Sequence, residues 1–173
     1  RQKRESGRLY INHESHYLFG NRYLLHLEKA TKNSVEVKGK RLILNITDPG
    51  NFDLKRSTLY HFYRMELRKK LAGFVQQYAK EMKLHLQAFS IRVMKTKWGS
   101  CAQNKQLWFN IELAKKPIDC IEYIVVHEMV HLFERHHNKN FIALMNNFLP
   151  GWQIRKKVLN ELSLSGTINR SGY

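Results

Sequence analysis

Residues 117–141 read PIDCIEYIVVHEMVHLFERHHNKNF. His127-Glu128-Met129-Val130-His131 forms an H-E-x-x-H pentad inside a run whose apolar members, Ile118, Ile121, Ile124, Val125, Met129, Val130 and Phe133, predict a helix buried in the core. Pro117 suits the first helical position. Positions four apart on a helix lie one above the other, so both imidazoles can address a single ion. Zinc accepts histidine nitrogen, and a catalytic site has three protein ligands with water in the fourth position. Glu128 is placed to take a proton from that water. Two histidines and a glutamate would be costly to bury without partners.

A third ligand must come from downstream. A continuous helix would carry His137 roughly 15 Å along the axis from His127, too far to share an ion. The helix must therefore stop near Glu134–His136 and the chain must turn back. No glycine serves that turn; of Arg135, His136 and Asn138, asparagine tolerates the left-handed conformation best. His137, His136 and Glu134 are the ligands this geometry leaves open.

Upstream of the pentad, short apolar runs at Tyr23–Leu27, Ser34–Val37 and Arg41–Ile46 are separated by turn formers, which predicts β-hairpins or a small meander closed by Asp48-Pro49-Gly50-Asn51. A long helix is expected from Lys55 to Leu84. Leu59, Tyr63, Leu67, Leu71, Phe74, Tyr78 and Met82 make its apolar stripe, and Ser57 and Thr58 are candidate N-caps. Residues 89–96 and 106–113 read as a strand pair joined by a loop over 97–105, and helices are expected over 140–149 and 153–162 around Pro150-Gly151. The fold class is α+β, with residues 8–163 as one domain, a frayed N-terminus at 1–7 and a flexible tail at 164–173. Leu107, Trp108, Phe109, Asn110 and Ile111 are the candidate edge strand for an extended peptide substrate.

With 173 residues and 43% hydrophobic composition, the chain can bury a core without staples. Cys101 and Cys120 make no disulfide framework. Trp98-Gly99-Ser100-Cys101 reads as a turn packing a core aromatic, and Cys120 as a buried helix residue. No apolar run approaches the roughly 18 residues of a membrane span, so the expected location is cytoplasmic, with no membrane partner. The net charge of +16 is spread as +5 over residues 1–51, +5 over 52–87, +4 over 88–119 and +2 over 120–173. That is a basic, solubilising surface on which nucleic acid is a further candidate partner; no recognition motif accompanies it.

Trp98-Gly99-Ser100-Cys101, Asn110, Val126–Leu132 and His137-Asn138-Lys139-Asn140-Phe141 together resemble the YgjP-like metallopeptidase family, which is related to the SprT and WLM proteases among the zincins. The specific match spans about residues 88–152. Met129 stands where leucine is usual, and His136 replaces the asparagine common before the third ligand. The resemblance implies a compact zincin-like fold, one zinc ion on His127, His131 and His137, and Glu128 as the catalytic acid/base. The implied reaction is hydrolysis of peptide bonds by zinc-activated water. His136 is the candidate for stabilising the oxyanion, ahead of Arg135 and Tyr123. Two other readings stand beside it: a SprT- or WLM-like protease acting on DNA-associated proteins, and a non-catalytic nucleic-acid-associated module whose zinc is structural. The latter is disfavoured because a structural site is normally closed by a fourth protein ligand.

Overall fold

The structure, a computed structural model, describes residues 8–86 and 88–161. The expected frayed start and flexible tail lie outside these residues, as does Leu162 at the end of the last expected helix. The order of elements is β1 (Ser15–Leu18), β2 (Asn21–Lys29), β3 (Ser34–Lys38), β4 (Arg41–Ile46), α1 (Phe52–Glu81), β5 (Phe89–Arg92), β6 (Gly99–Cys101) and β7 (Leu107–Asn110). A 3-10 turn at Ile111–Lys115 then leads into α2 (Ile118–Val130), α3 (Lys139–Phe148) and α4 (Trp152–Glu161). The protein is α+β, as its sequence pattern predicts.

The first sheet has the order β1-β2-β4-β3. Phe19 and Gly20 both have positive φ and close the β1–β2 hairpin, the backbone twist that two-residue hairpin turns need. β3 and β4 form a second hairpin, but β2 and β4 are parallel, with Leu25 opposite Leu42 and Leu27 opposite Leu44. The sheet is thus two hairpins joined side by side rather than a meander. Leu25, Leu42, Leu44 and Ile46 are fully buried, facing the stripe of α1.

α1 begins earlier than the sequence predicts. Asn51 is its N-cap, its side chain accepting from the Leu54 amide at 3.0 Å. Ser57 and Thr58 lie inside the helix, and their hydroxyls donate back to the Leu54 carbonyl. An asparagine ending the Asp48–Asn51 turn satisfies an orphan amide that a serine one turn later cannot reach. Leu59, Tyr63, Leu67, Leu71 and Tyr78 are buried as the stripe requires, whereas Phe74 is only partly so.

The second sheet departs most from expectation. Its order is β5-β7-β6, with β7 parallel to β5 and antiparallel to β6. The candidate edge strand at Leu107–Asn110 is therefore the central strand, its hydrogen bonds taken on both sides. Ile111 has left the strand for the 3-10 turn, which starts where the Asn110 side chain accepts from the Glu112 amide. The outer strands are β5 and β6, and β6 lies within the segment read as a loop. The apolar side chains Leu107 and Phe109 are fully buried.

α2 carries the pentad through the middle of this core. Pro117 occupies the N-cap rather than the first helical position. Every residue from Tyr123 to Val130 is buried, while Ile118 and Phe133, at the ends of the predicted apolar run, are exposed. The helix is tied laterally: Tyr78 of α1 donates to Glu122 of α2 at 2.7 Å, and Arg155 of α4 pairs with the same carboxylate.

Candidate metal centre

α2 ends at Val130 with His131 as its C-cap, about a turn sooner than the geometric argument required. The amides of Leu132 and Phe133 donate to Met129 and Val130 at 3.0 and 2.9 Å, tightening the last turn into 3-10 geometry. His131 Nδ1 lies 3.0 Å from the Glu134 carbonyl, and Glu134 Oε1 accepts from the His136 amide at 3.1 Å. Glu134 thus builds the turn rather than joining the ligands. No residue between 131 and 138 adopts positive φ. Asn138, expected to supply a left-handed break, is instead extended and N-caps α3, accepting from the amides of Asn140 and Phe141 at 3.0 and 3.1 Å.

This turn brings three imidazoles together. His137 Nε2 lies 3.2 Å from His127 Nε2 and 3.1 Å from His131 Nε2. Nitrogens bound tetrahedrally to one zinc ion at about 2.05 Å sit about 3.3 Å apart, so the convergence fits a single ion. Among the described residues these three form the one group of histidine, cysteine or carboxylate side chains close enough to hold a metal. His136 is not a member of that group. The Nδ1 atoms face away: that of His131 toward Glu134, that of His127 toward the Tyr123 hydroxyl at 3.5 Å. Such contacts fix ring orientation and leave Nε2 for a metal. Tyr123 stacks on Trp152 and is fully buried beside His127. Arg135 donates to the Ala102 carbonyl at 3.4 Å.

Phe141, on the first turn of α3, packs against all three rings, with centroids 5.0, 4.8 and 4.6 Å from His127, His131 and His137. The sequence marks it only as the end of the H-N-x-x-F segment. Lys156 of α4 is a second residue the sequence reading does not single out; no spacing rule links it to the pentad. Its charge, after burial, holds the His137 imidazole below its ordinary pKa. His127 is pushed down to about 2, first by burial and then by the charges of His131, His137 and Lys156. Three neutral imidazoles with converging lone pairs are the state in which histidine ligates.

Glu128 points from the same helix toward β6. It is 2% exposed, its Oε1 is buried without a hydrogen-bond partner, and burial raises its carboxyl to about 8 against the opposing charge of Lys97. A buried acid without a partner next to a ligand set fits a site completed by a cation and a water.

A helix that presents two histidines and a glutamate, with a third histidine folded back onto them, defines a metal-dependent hydrolase class. The family profile of the YgjP-like metallopeptidase domain matches residues 1–162, and the chain belongs to that family. A catalytic metal is accordingly implied. No curated protein is significantly similar in sequence. Among solved structures, the metallopeptidase zymogen abylysin of Pyrococcus abyssi is 13% identical with a TM-score of 0.49, covering 53% of this chain and 92% of its own. The metallopeptidase zymogen jannalysin of Methanocaldococcus jannaschii is 20% identical with a TM-score of 0.47, covering 54% and 97%. No helix among the described residues is long and apolar enough to cross a membrane.

Proposed function

We propose that this domain hydrolyses peptide bonds with one zinc ion held by His127, His131 and His137, and with Glu128 as general base. The observation that carries this reading is the convergence of the three Nε2 atoms beside a buried glutamate on the same helix. When bound, zinc supplies Lewis acidity, lowering the pKa of water toward 7 and polarising the scissile carbonyl. Glu128 takes a proton from the attacking water on a carboxylate oxygen and passes it to the departing amine nitrogen. Its burial excludes bulk water from that exchange. His136, exposed one residue before His137, is our candidate for the oxyanion.

The substrate strand must be reassigned. β7 is paired on both sides, so a peptide extending the sheet would have to add to an outer strand. β6 is the outer strand on the α2 side, since Gly99 faces Glu128. Cys101 on the same strand would then line the substrate cleft.

The test is Glu128→Gln. Zinc content should remain one per chain while peptide cleavage falls by about 10²–10⁴-fold, the range for loss of a general base. Undiminished cleavage by the zinc-loaded variant would sink the role. Running the assay with and without DNA tests the alternative of a DNA-directed protease: cleavage of a DNA-binding substrate that depends on DNA would favour it. Salt-sensitive DNA binding without any cleavage would favour the non-catalytic module.

A further inference from the structure

Gly99 lies opposite Phe109 across the sheet. Its φ is outside the left-handed region, so the backbone does not require glycine here. What requires it is space. A Cβ at 99 would sit 2.7 Å from Glu128 Cγ, 2.8 Å from Oε1 and 3.0 Å from Cδ. Any side chain would displace the carboxylate.

The strand that carries Gly99 has only three residues. Asn110 fastens the segment that leads into it. It is fully buried at the end of β7. Its Nδ2 donates to the carbonyls of Met94 and Lys97, both at 2.8 Å, and its backbone amide donates to the Trp98 carbonyl, also at 2.8 Å. Its Oδ1 accepts from the Glu112 amide at 3.2 Å. Two carbonyls on Nδ2 require a donor there, so the amide has one orientation and a carboxylate cannot replace it. These bonds fasten the loop that enters β6 at Met94, Lys97 and Trp98, the last being the neighbour of Gly99.

We infer that Asn110 and Gly99 are positioning residues for Glu128: the Asn110 amide fixes the loop ahead of β6, and the bare Cα at 99 forms the wall against which the Glu128 carboxylate is seated. The catalytic half of this inference rests on the hydrolase reading above; the packing half does not. Asn110 thereby exchanges the substrate-strand role read from the sequence for one acting through the base.

The experiment is a stability cycle combined with steady-state kinetics on the zinc-loaded chain. Gly99→Ala should lower Tm by about 5 °C. In a Glu128→Ala background, where the opposing atoms are gone, the same change should shift Tm by less than about 1 °C. An equal shift in both backgrounds, or failure to fold in both, overturns the seating. With zinc still stoichiometric, Gly99→Ala should reduce kcat about 100-fold and leave KM within about twofold, the signature of a displaced catalytic group. Asn110→Asp, nearly the same shape but unable to donate to the two carbonyls, should lower kcat in the same sense while keeping zinc. Parent kcat in folded, zinc-loaded Gly99→Ala overturns the positioning role. Coupled stabilities together with an inactive zinc-loaded parent would leave the seating in place and overturn the peptidase reading instead.

Discussion

At the level of single residues, two adjacent histidines divide the work. The His137 Nε2 lies near those of His127 and His131, whereas His136 engages Glu134 through its backbone. Replacing His137 with alanine should therefore abolish stoichiometric zinc, and His136→Ala should retain it, as read by metal analysis after dialysis. The reverse result would reassign the ligand. The same cluster sets the pH response of the metal-free chain. Glu128, raised from its ordinary 4.5 to about 8, favours its proton in the folded state. The stability it contributes is fully present below pH 4.5 and is lost as pH rises through about 8. His127, His131 and His137 are held below the ordinary 6.5 by burial. Their contribution is present above pH 6.5 and is lost as pH falls. Calorimetry of the metal-free protein should place the Tm maximum near pH 6.5, and Glu128→Gln should flatten the decline between 6.5 and 8.

At the level of elements, long and periodic segments were legible and short ones were not. The stripe of α1 and the apolar surround of α2 repeat over enough turns for the pattern to decide, so Leu59, Tyr63, Leu67 and Leu71 are buried as read. β6 is three residues long and carries no alternation to detect; it is a strand because β7 pairs with it. The parallel contact between β2 and β4 also depends on which hairpin edges meet, which no local pattern encodes. The end of α2 was misplaced because its signal is a side-chain bond, His131 to Glu134, rather than a glycine. In the candidate site, H-E-x-x-H marked two of the three histidines that converge and the buried glutamate beside them. The choice of His137 as the third needed the family resemblance, and the contact at Gly99 needed tertiary structure. Asn138 gives this scale its prediction. As the cap of α3 it satisfies two amides and orients the turn that holds His137 and Phe141. Asn138→Ala should cost about 1 kcal/mol of stability in urea and weaken zinc binding in a metal-buffer titration.

At the level of the whole molecule, one hydrophobic core joins both sheets, α1 and the pentad helix, and the three converging histidines lie at its margin. An ion that binds only the folded chain stabilises it by about 2.7 kcal/mol at 100 times Kd, a rise of about 5–10 °C in Tm for a chain of this size. Chelation should reverse that rise and abolish cleavage together, read by differential scanning calorimetry and a peptide assay on the same sample. The proposed ligand set and base, however, depend on different spans of chain. His127, His131 and His137 all belong to one helix end and the turn after it, whereas the carboxylate beside them is seated by Gly99 from another sheet. A change in β6 can therefore displace the Glu128 carboxylate while the three imidazoles keep their convergence.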